Sequence, residues 1–190
     1  MLRPLRDAVR PSTILVPFLL SLLAVTANAQ TVSTGSELQL REWPRFLGGG
    51  FDGVAANAAK NIDWVQDPRF MWSIDLGEGY GIGSVAGGKY FQFDAEDGRL
   101  SKESRERLRC FDLKTGRVVW TKSEPLVYRD LYGYEAGPRS SPTITGEKVL
   151  TYGVSGQLIC RRVTDGEPLW SVDTNDRFGV VQNFFGVGSS

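Results

Sequence analysis

Two stretches in the second half of the chain are copies of one another, and that constrains the fold more than any other feature. Leu108 to Trp120 reads LRCFDLKTGRVVW and Leu158 to Trp170 reads LICRRVTDGEPLW. They align without a gap, Cys110 on Cys160, Gly116 on Gly166 and Trp120 on Trp170, at a period of 50 residues. A third, weaker copy ends at Trp72, 48 residues before Trp120, where MWSIDL matches the LWSVDT around Trp170. A second landmark keeps the same beat: Ser140-Ser141 and Ser189-Ser190 lie 49 residues apart. Self-similarity at such a period marks a structural unit that cannot hide its apolar faces alone and stacks on its neighbours.

Within each unit the pattern reads as short strands and turns. Pro142–Thr145, Lys148–Gly153, Gln157–Val163 and Pro168–Val172 are rich in β-branched and aromatic residues, and they are broken at Gly146-Glu147, Ser155-Gly156 and Asp165-Gly166. Asp-Gly is a strong hairpin signal because glycine accepts positive φ. The preceding unit repeats the plan at Ser84–Ala86, Lys89–Asp94, Arg107–Leu113 and Val118–Lys122, with a polar insert from Ala95 to Glu106. No long stretch after residue 30 shows helical periodicity. Four strands per unit at a period of 40 to 50 predict an all-β chain, a β-propeller of four-stranded antiparallel blades. About two blades are present, with an extra strand at Phe70–Asp75. Propellers close with four to eight blades, so the chain reads as a partial propeller, an N-terminal fragment truncated before the next blade.

The first 29 residues read differently. Arg3, Arg6 and Arg10 precede a 12-residue apolar run, Ile14 to Val25, and then Ala27-Asn28-Ala29. That is the layout of a cleaved secretory signal, and the run falls short of the roughly 20 residues of a membrane span. No cysteine follows it, so a lipid-modified N-terminus is not supported. The expected organisation is a signal peptide over 1–29, a lead-in over 30–69 and repeat units over 70–190. The mature chain is expected to be periplasmic or secreted, with no membrane span. It carries 19 positive and 21 negative groups, which gives no basic stripe for nucleic acid. Histidine is absent from the whole chain, which removes His-based triads, Cys-His pairs and HExxH metal sites from consideration.

Cys110–Trp120, CFDLKTGRVVW, resembles the tryptophan-docking motif of quinoprotein dehydrogenases, AxDxxTGxxxW: Asp112, Thr115, Gly116 and Trp120 match, and Cys110 stands where alanine is usual. In the second copy Gly166 and Trp170 hold, while Arg162 and Asp165 replace the acidic and threonine positions. Trp43–Val54 and Gly137–Val149 also resemble stretches of bacterial pyrroloquinoline-quinone (PQQ)-like repeat proteins, a group that includes relatives of the outer-membrane assembly factor B lipoprotein. The resemblance implies a structural role. Each tryptophan packs on the glycine turn of the neighbouring blade, with Asp112 and Thr115 tying that turn down.

The candidates for chemistry are weaker. Alcohol-oxidising members of the resembling group carry adjacent cysteines at the cofactor, and this chain has none; Cys110 and Cys160 are expected to be separate buried thiols. Glu135, Arg139, Asn175, Asp176 and Asn183 lie near blade ends but match no ligand motif, and they read as ordinary polar loops. Asp94 to Gly98 reads as part of the solvated insert rather than a calcium loop, and Gly77–Gly83 as a lead-in to the first strand rather than a phosphate cradle. Tyr128, Tyr132 and Tyr134, with Phe178, Phe184 and Phe185, either line a binding mouth or fill the space between blades. The favoured function is a non-catalytic scaffold in the cell envelope that binds a protein or small ligand, with no cofactor. The alternative is a PQQ- and calcium-dependent dehydrogenase of alcohols or sugars.

Overall fold

The computed structural model describes residues 42–55, 70–96, 104–128, 132, 134–181 and 185–188. The signal segment, most of the insert, Gly133, Asn183, Phe184 and Ser189-Ser190 lie outside them.

Eight strands form two four-stranded antiparallel sheets, each a meander in chain order. The first contains β1 (Ser84–Ala86), β2 (Lys89–Glu96), β3 (Arg105–Asp112) and β4 (Val118–Pro125). The second contains β5 (Thr143–Thr145), β6 (Lys148–Tyr152), β7 (Gln157–Arg162) and β8 (Pro168–Asp173). The repeat in sequence is a repeat in register. Cys110 stands opposite Trp120 and Cys160 opposite Trp170, and each ladder shifts register immediately afterwards, between Cys110 and Phe111 and between Cys160 and Arg161. Such a bulge increases local twist and re-aims the following turn.

The strand cores fall where the sequence places them, but several ends move outward. β2 and β3 extend into the insert, pairing Glu96 with Arg105, and β4 continues to Pro125. The segment Phe70–Asp75 forms no ladder among the described residues. Its alternating pattern aims side chains without a partner strand beside it, and a strand needs that partner. The one described helix, α1 (Thr174–Phe178), is capped by Asp173, whose carboxylate accepts from the amides of Asn175 and Asp176, and it ends at Gly179 with φ 67°.

The main core is shared between the sheets: Phe91, Phe93, Leu108, Cys110 and Trp120 of the first pack with Ile144 and Val149 of the second. β2 is buried from Phe91 to Ala95, on both faces: on the side of Tyr90 and Asp94, Trp72 packs against Tyr90, and Asp94 takes Arg107, Arg109 and the Gly77 amide. Trp43 bridges Val85 by a pair of 2.8 Å backbone bonds, and Ile144 donates to the Pro44 carbonyl at 2.7 Å. Residues 43 and 44 therefore tie together β1 and β5, the first strands of the two sheets.

Candidate functional site

Two places concentrate designed contacts: the joint between the sheets and the link segments at one end. At the joint, Trp120 Nε1 donates to the Val163 carbonyl at 3.0 Å, and a Cβ on Gly166 would stand 2.7 Å from its ring. Trp72 repeats this against the first sheet, donating to the Leu113 carbonyl at 2.9 Å with Gly116 as close to its ring. Both glycines have positive φ, 68° and 72°, so their turns need glycine twice over, for conformation and for room. Asp112 fastens the first turn: its carboxylate accepts from the Thr115 hydroxyl at 2.8 Å and amide at 2.9 Å. Those bonds, the hydroxyl's foremost, favour the ionised form and hold its pKa below the usual carboxylate range. In the second turn the acid has changed places. Asp165 accepts from the Glu167 amide at 3.0 Å and from Arg162 at 2.6 Å, so the two replacements compensate one another. Trp170 is 43% exposed, and none of the described glycines has its ring against it.

The other place is built from three links: the glycine-rich run before β1, the residues between β4 and β5, and the segment after α1. The first two cross so closely that a Cβ on Gly137 would fall 1.9 Å from the Glu78 carbonyl oxygen. Tyr80 donates its amide to the Pro138 carbonyl at 2.8 Å, and Gly79 donates to Glu135 at 2.6 Å. Arg139 lies at the crossing. Its guanidinium stands over the rings of Tyr80 and Tyr128, 4.6 and 5.5 Å from their centroids. Nε and Nη1 donate to the carbonyls of Phe185 and Gly137, while Nη2 is buried with no acceptor. Tyr134 and Phe185 pack edge to face at 5.6 Å, and with Tyr80 and Arg139 they line an open cavity of 290 Å³. That volume approaches the range of small-molecule pockets.

No family profile matches the chain, and no curated protein matches it. Solved structures do. A europium-containing methanol dehydrogenase matches over 73% of this chain and 24% of its own, at a TM-score of 0.50 and 16% identity. The two sheets are propeller blades. The quinohemoprotein alcohol dehydrogenase of Comamonas testosteroni matches over 72% of this chain and 20% of its own, at a TM-score of 0.47 and 20% identity. BamB from Moraxella catarrhalis matches over 52% and 23%, at 0.28 and 19%. The chain spans about a quarter or less of the length of these proteins.

Within the blades, the sequence candidates separate. Cys110 and Cys160 are buried free thiols in different blades, and burial pushes the Cys110 thiol up to about 11. Asp94, Ala95 and Glu96 belong to β2; Asp94 is buried, pairing with Arg107 at 2.8 Å and Arg109 at 2.5 Å and accepting from the Gly77 amide. Glu135 serves the Gly79 amide, and Asn175, in α1, donates to the Ser155 carbonyl at 2.7 Å. These contacts are local and separate, and among the described residues no set of three acidic or sulfur side chains converges on a metal-sized site. Of the aromatic candidates, Tyr128 is buried with Ala136 and Val154, whereas Tyr134 and Phe185 line the cavity, and Tyr132 and Phe178 are exposed. The sequence left mouth and filler open; the structure makes Tyr128 a filler and sets Tyr134 and Phe185 at the edge of a cavity.

Sequence reasoning missed the polar half of the joint. Glu124 pairs with the buried Arg161, Lys122 with Glu167, and Glu106 accepts from the Val154 amide at 2.7 Å, all across the blades. The available signal was alternation: Trp120, Lys122 and Glu124 share one face of a strand.

Proposed function

We propose that the chain belongs to an exported propeller that works as a non-catalytic scaffold in the cell envelope, binding a protein or small ligand at the link end of its blades. The supporting observation is the cavity ringed by Tyr80, Tyr134, Arg139 and Phe185. It is apolar and aromatic, and it is braced from beneath by an arginine stacked on two tyrosines, the composition expected where a rigid scaffold presents loops to a partner. Export rests on the arginine-led apolar run and Ala27-Asn28-Ala29, and among the described residues no helix is long and apolar enough to cross a membrane.

The test is site-specific photocrosslinking in the producing cell. A benzophenone amino acid at Tyr134 or Phe185 should yield one defined adduct in the envelope fraction. The same probe at Val119, 48% exposed on β4, should not. Equal labelling from all three positions removes the reading. N-terminal sequencing of the mature protein should begin near Gln30. Adding PQQ and calcium with an alcohol and a redox dye should give no turnover; saturable dye reduction would replace the scaffold with a quinoprotein dehydrogenase.

A further inference from the structure

The contacts that cross from the first blade to the second are arranged in a row. Trp120, Lys122 and Glu124 alternate along β4, and Glu106 stands opposite Glu124 on β3 and faces the same way. The first three have matched partners: a carbonyl and a glycine turn, Glu167, and Arg161. Glu106 does not. It is 5% exposed, and its Oε1 accepts from the Val154 amide at 2.7 Å. A Cβ on Gly153 would stand 2.2 Å from its Oε2, so the β6–β7 turn is shaped around this carboxyl.

The charges that face Glu106 are Glu124 and Lys122 on β4, Arg161 on β7 and Arg139 on the link. Arg161 is taken by Glu124 and Lys122 by Glu167, while Arg139 is held by two carbonyls and two tyrosine rings. Among the described residues no cation forms an ion pair with Glu106, and the nearest charge on its own sheet face is another carboxylate, directly opposite. Like charges across a ladder repel, and an ionised carboxylate buried without a counter-ion is costly.

We propose that Glu106 is a proton-operated clasp between the blades: protonated, it holds the β6–β7 turn against β3, and ionised, it puts an uncompensated charge into the joint and releases that turn. Burial lifts the carboxyl to about 7, against the Val154 amide and Arg139, which favour the anion, and with Glu124, which does not. Unfolded, the same group titrates near 4.5. The folded joint therefore retains a proton that the open chain has lost. Its stability is fully present below about 4.5, declines as pH rises towards 7 and is level above.

Release would not stay local. The turn also accepts from the Val187 amide at 2.8 Å through Val154, and from Asn175 and Thr174 through Ser155 and Gly156. It thus steadies α1 and the Phe185–Gly188 segment that borders the cavity. The clasp stands whether or not the cavity binds anything; control of binding by it rests on the scaffold reading above.

The test uses the full chain with carboxyl-labelled glutamate, alongside Glu106→Gln, which keeps an acceptor for Val154 but cannot ionise. One glutamate carbon should titrate with a midpoint near 7 and be missing from the variant. From pH 5 to pH 8 the unfolding constant of the wild type, relative to the variant, should rise by about 70-fold. A constant ratio, or every glutamate carbon titrating below about 5.5, overturns the proposal. Should the variant not fold, wild-type amide exchange decides. Protection at Val154, corrected for base-catalysed exchange, should fall between pH 6 and 8, and pH-independent protection overturns the clasp. Because none of these readouts involves a ligand, failure of the clasp and failure of the scaffold reading are separable.

Discussion

Gly166 and Gly146 both sit in hairpin turns at positive φ, 72° and 56°, yet their surroundings are opposites. A Cβ on Gly146 meets nothing within 4 Å, while one on Gly166 meets the Trp120 ring at 2.7 Å and the Lys122 stem at 2.8 Å. Alanine at either position incurs the left-handed penalty of about 1 kcal/mol; only at Gly166 must it also push an indole out of its seat. Gly146→Ala should lower the urea-unfolding free energy by about 1 kcal/mol and Gly166→Ala by about 3 kcal/mol. Equal losses would mean that the indole contact contributes nothing. Both turns were legible as Gly-containing breaks, and the tryptophan period marked which glycine has company. The thiols make a second residue-scale case. Cys110 is fully buried and its acidity is suppressed to about 11, so it offers almost no thiolate at pH 8. Iodoacetamide at that pH should leave it unmodified in the native protein and label it fully in urea, as read by intact mass. Rapid native labelling would place it on an accessible surface instead.

At the scale of the element, β4 shows why a strand can be read correctly and its purpose missed. Trp120, Lys122 and Glu124 face the second blade together, but a pattern that runs from an indole into Lys and Glu looks like a strand passing out into water. The sequence reading accordingly ended at Lys122, whereas the ladder runs to Pro125. The polar members find their partners about 40 residues away, which no local window contains. The two ion pairs differ in worth. Arg161 is 5% exposed, so removing Glu124 leaves a guanidinium stranded in the joint, at about 3 kcal/mol. Lys122 and Glu167 are both open to solvent, and their pair is worth about 0.5 kcal/mol or less. Denaturant titration of Glu124→Ala and Lys122→Ala should reproduce that gap, and the Lys122 effect alone should fade in 1 M salt, where the screening length is about 3 Å. The opposite ranking would refute the assignment of Arg161 to the buried partner. α1 escaped the reading for another reason. Five residues are too few for a helical period, so only its Asp173 and Gly179 caps announced it.

For the molecule as a whole, the two described blades, their order and the tryptophan–glycine half of their joint were readable because repetition encodes them twice. The link end was not, because its parts come from three separate links that share no motif. Tyr80, Tyr134 and Phe185 are spread over more than 100 residues, and only the crossing of the three links brings them around Arg139. That places unusual weight on one side chain. Arg139 reaches the Phe185 segment through Nε and its own link through Nη1, and it stacks on Tyr80 from the first blade's lead-in. A planar guanidinium can do all three at once; an ammonium of the same charge cannot. Arg139→Lys should therefore cost about 2 kcal/mol of stability despite conserving charge, and the loss should concentrate at the link end. Amide exchange should quicken at Tyr80, whose bond to the Pro138 carbonyl depends on the crossing, and stay unchanged at Leu150 and Cys160 inside the second blade. If exchange rises equally at all of these sites, Arg139 acts on global stability alone. If it rises nowhere, the three links are held by their glycine crossings and backbone bonds, and the arginine is a lining of the cavity rather than its brace.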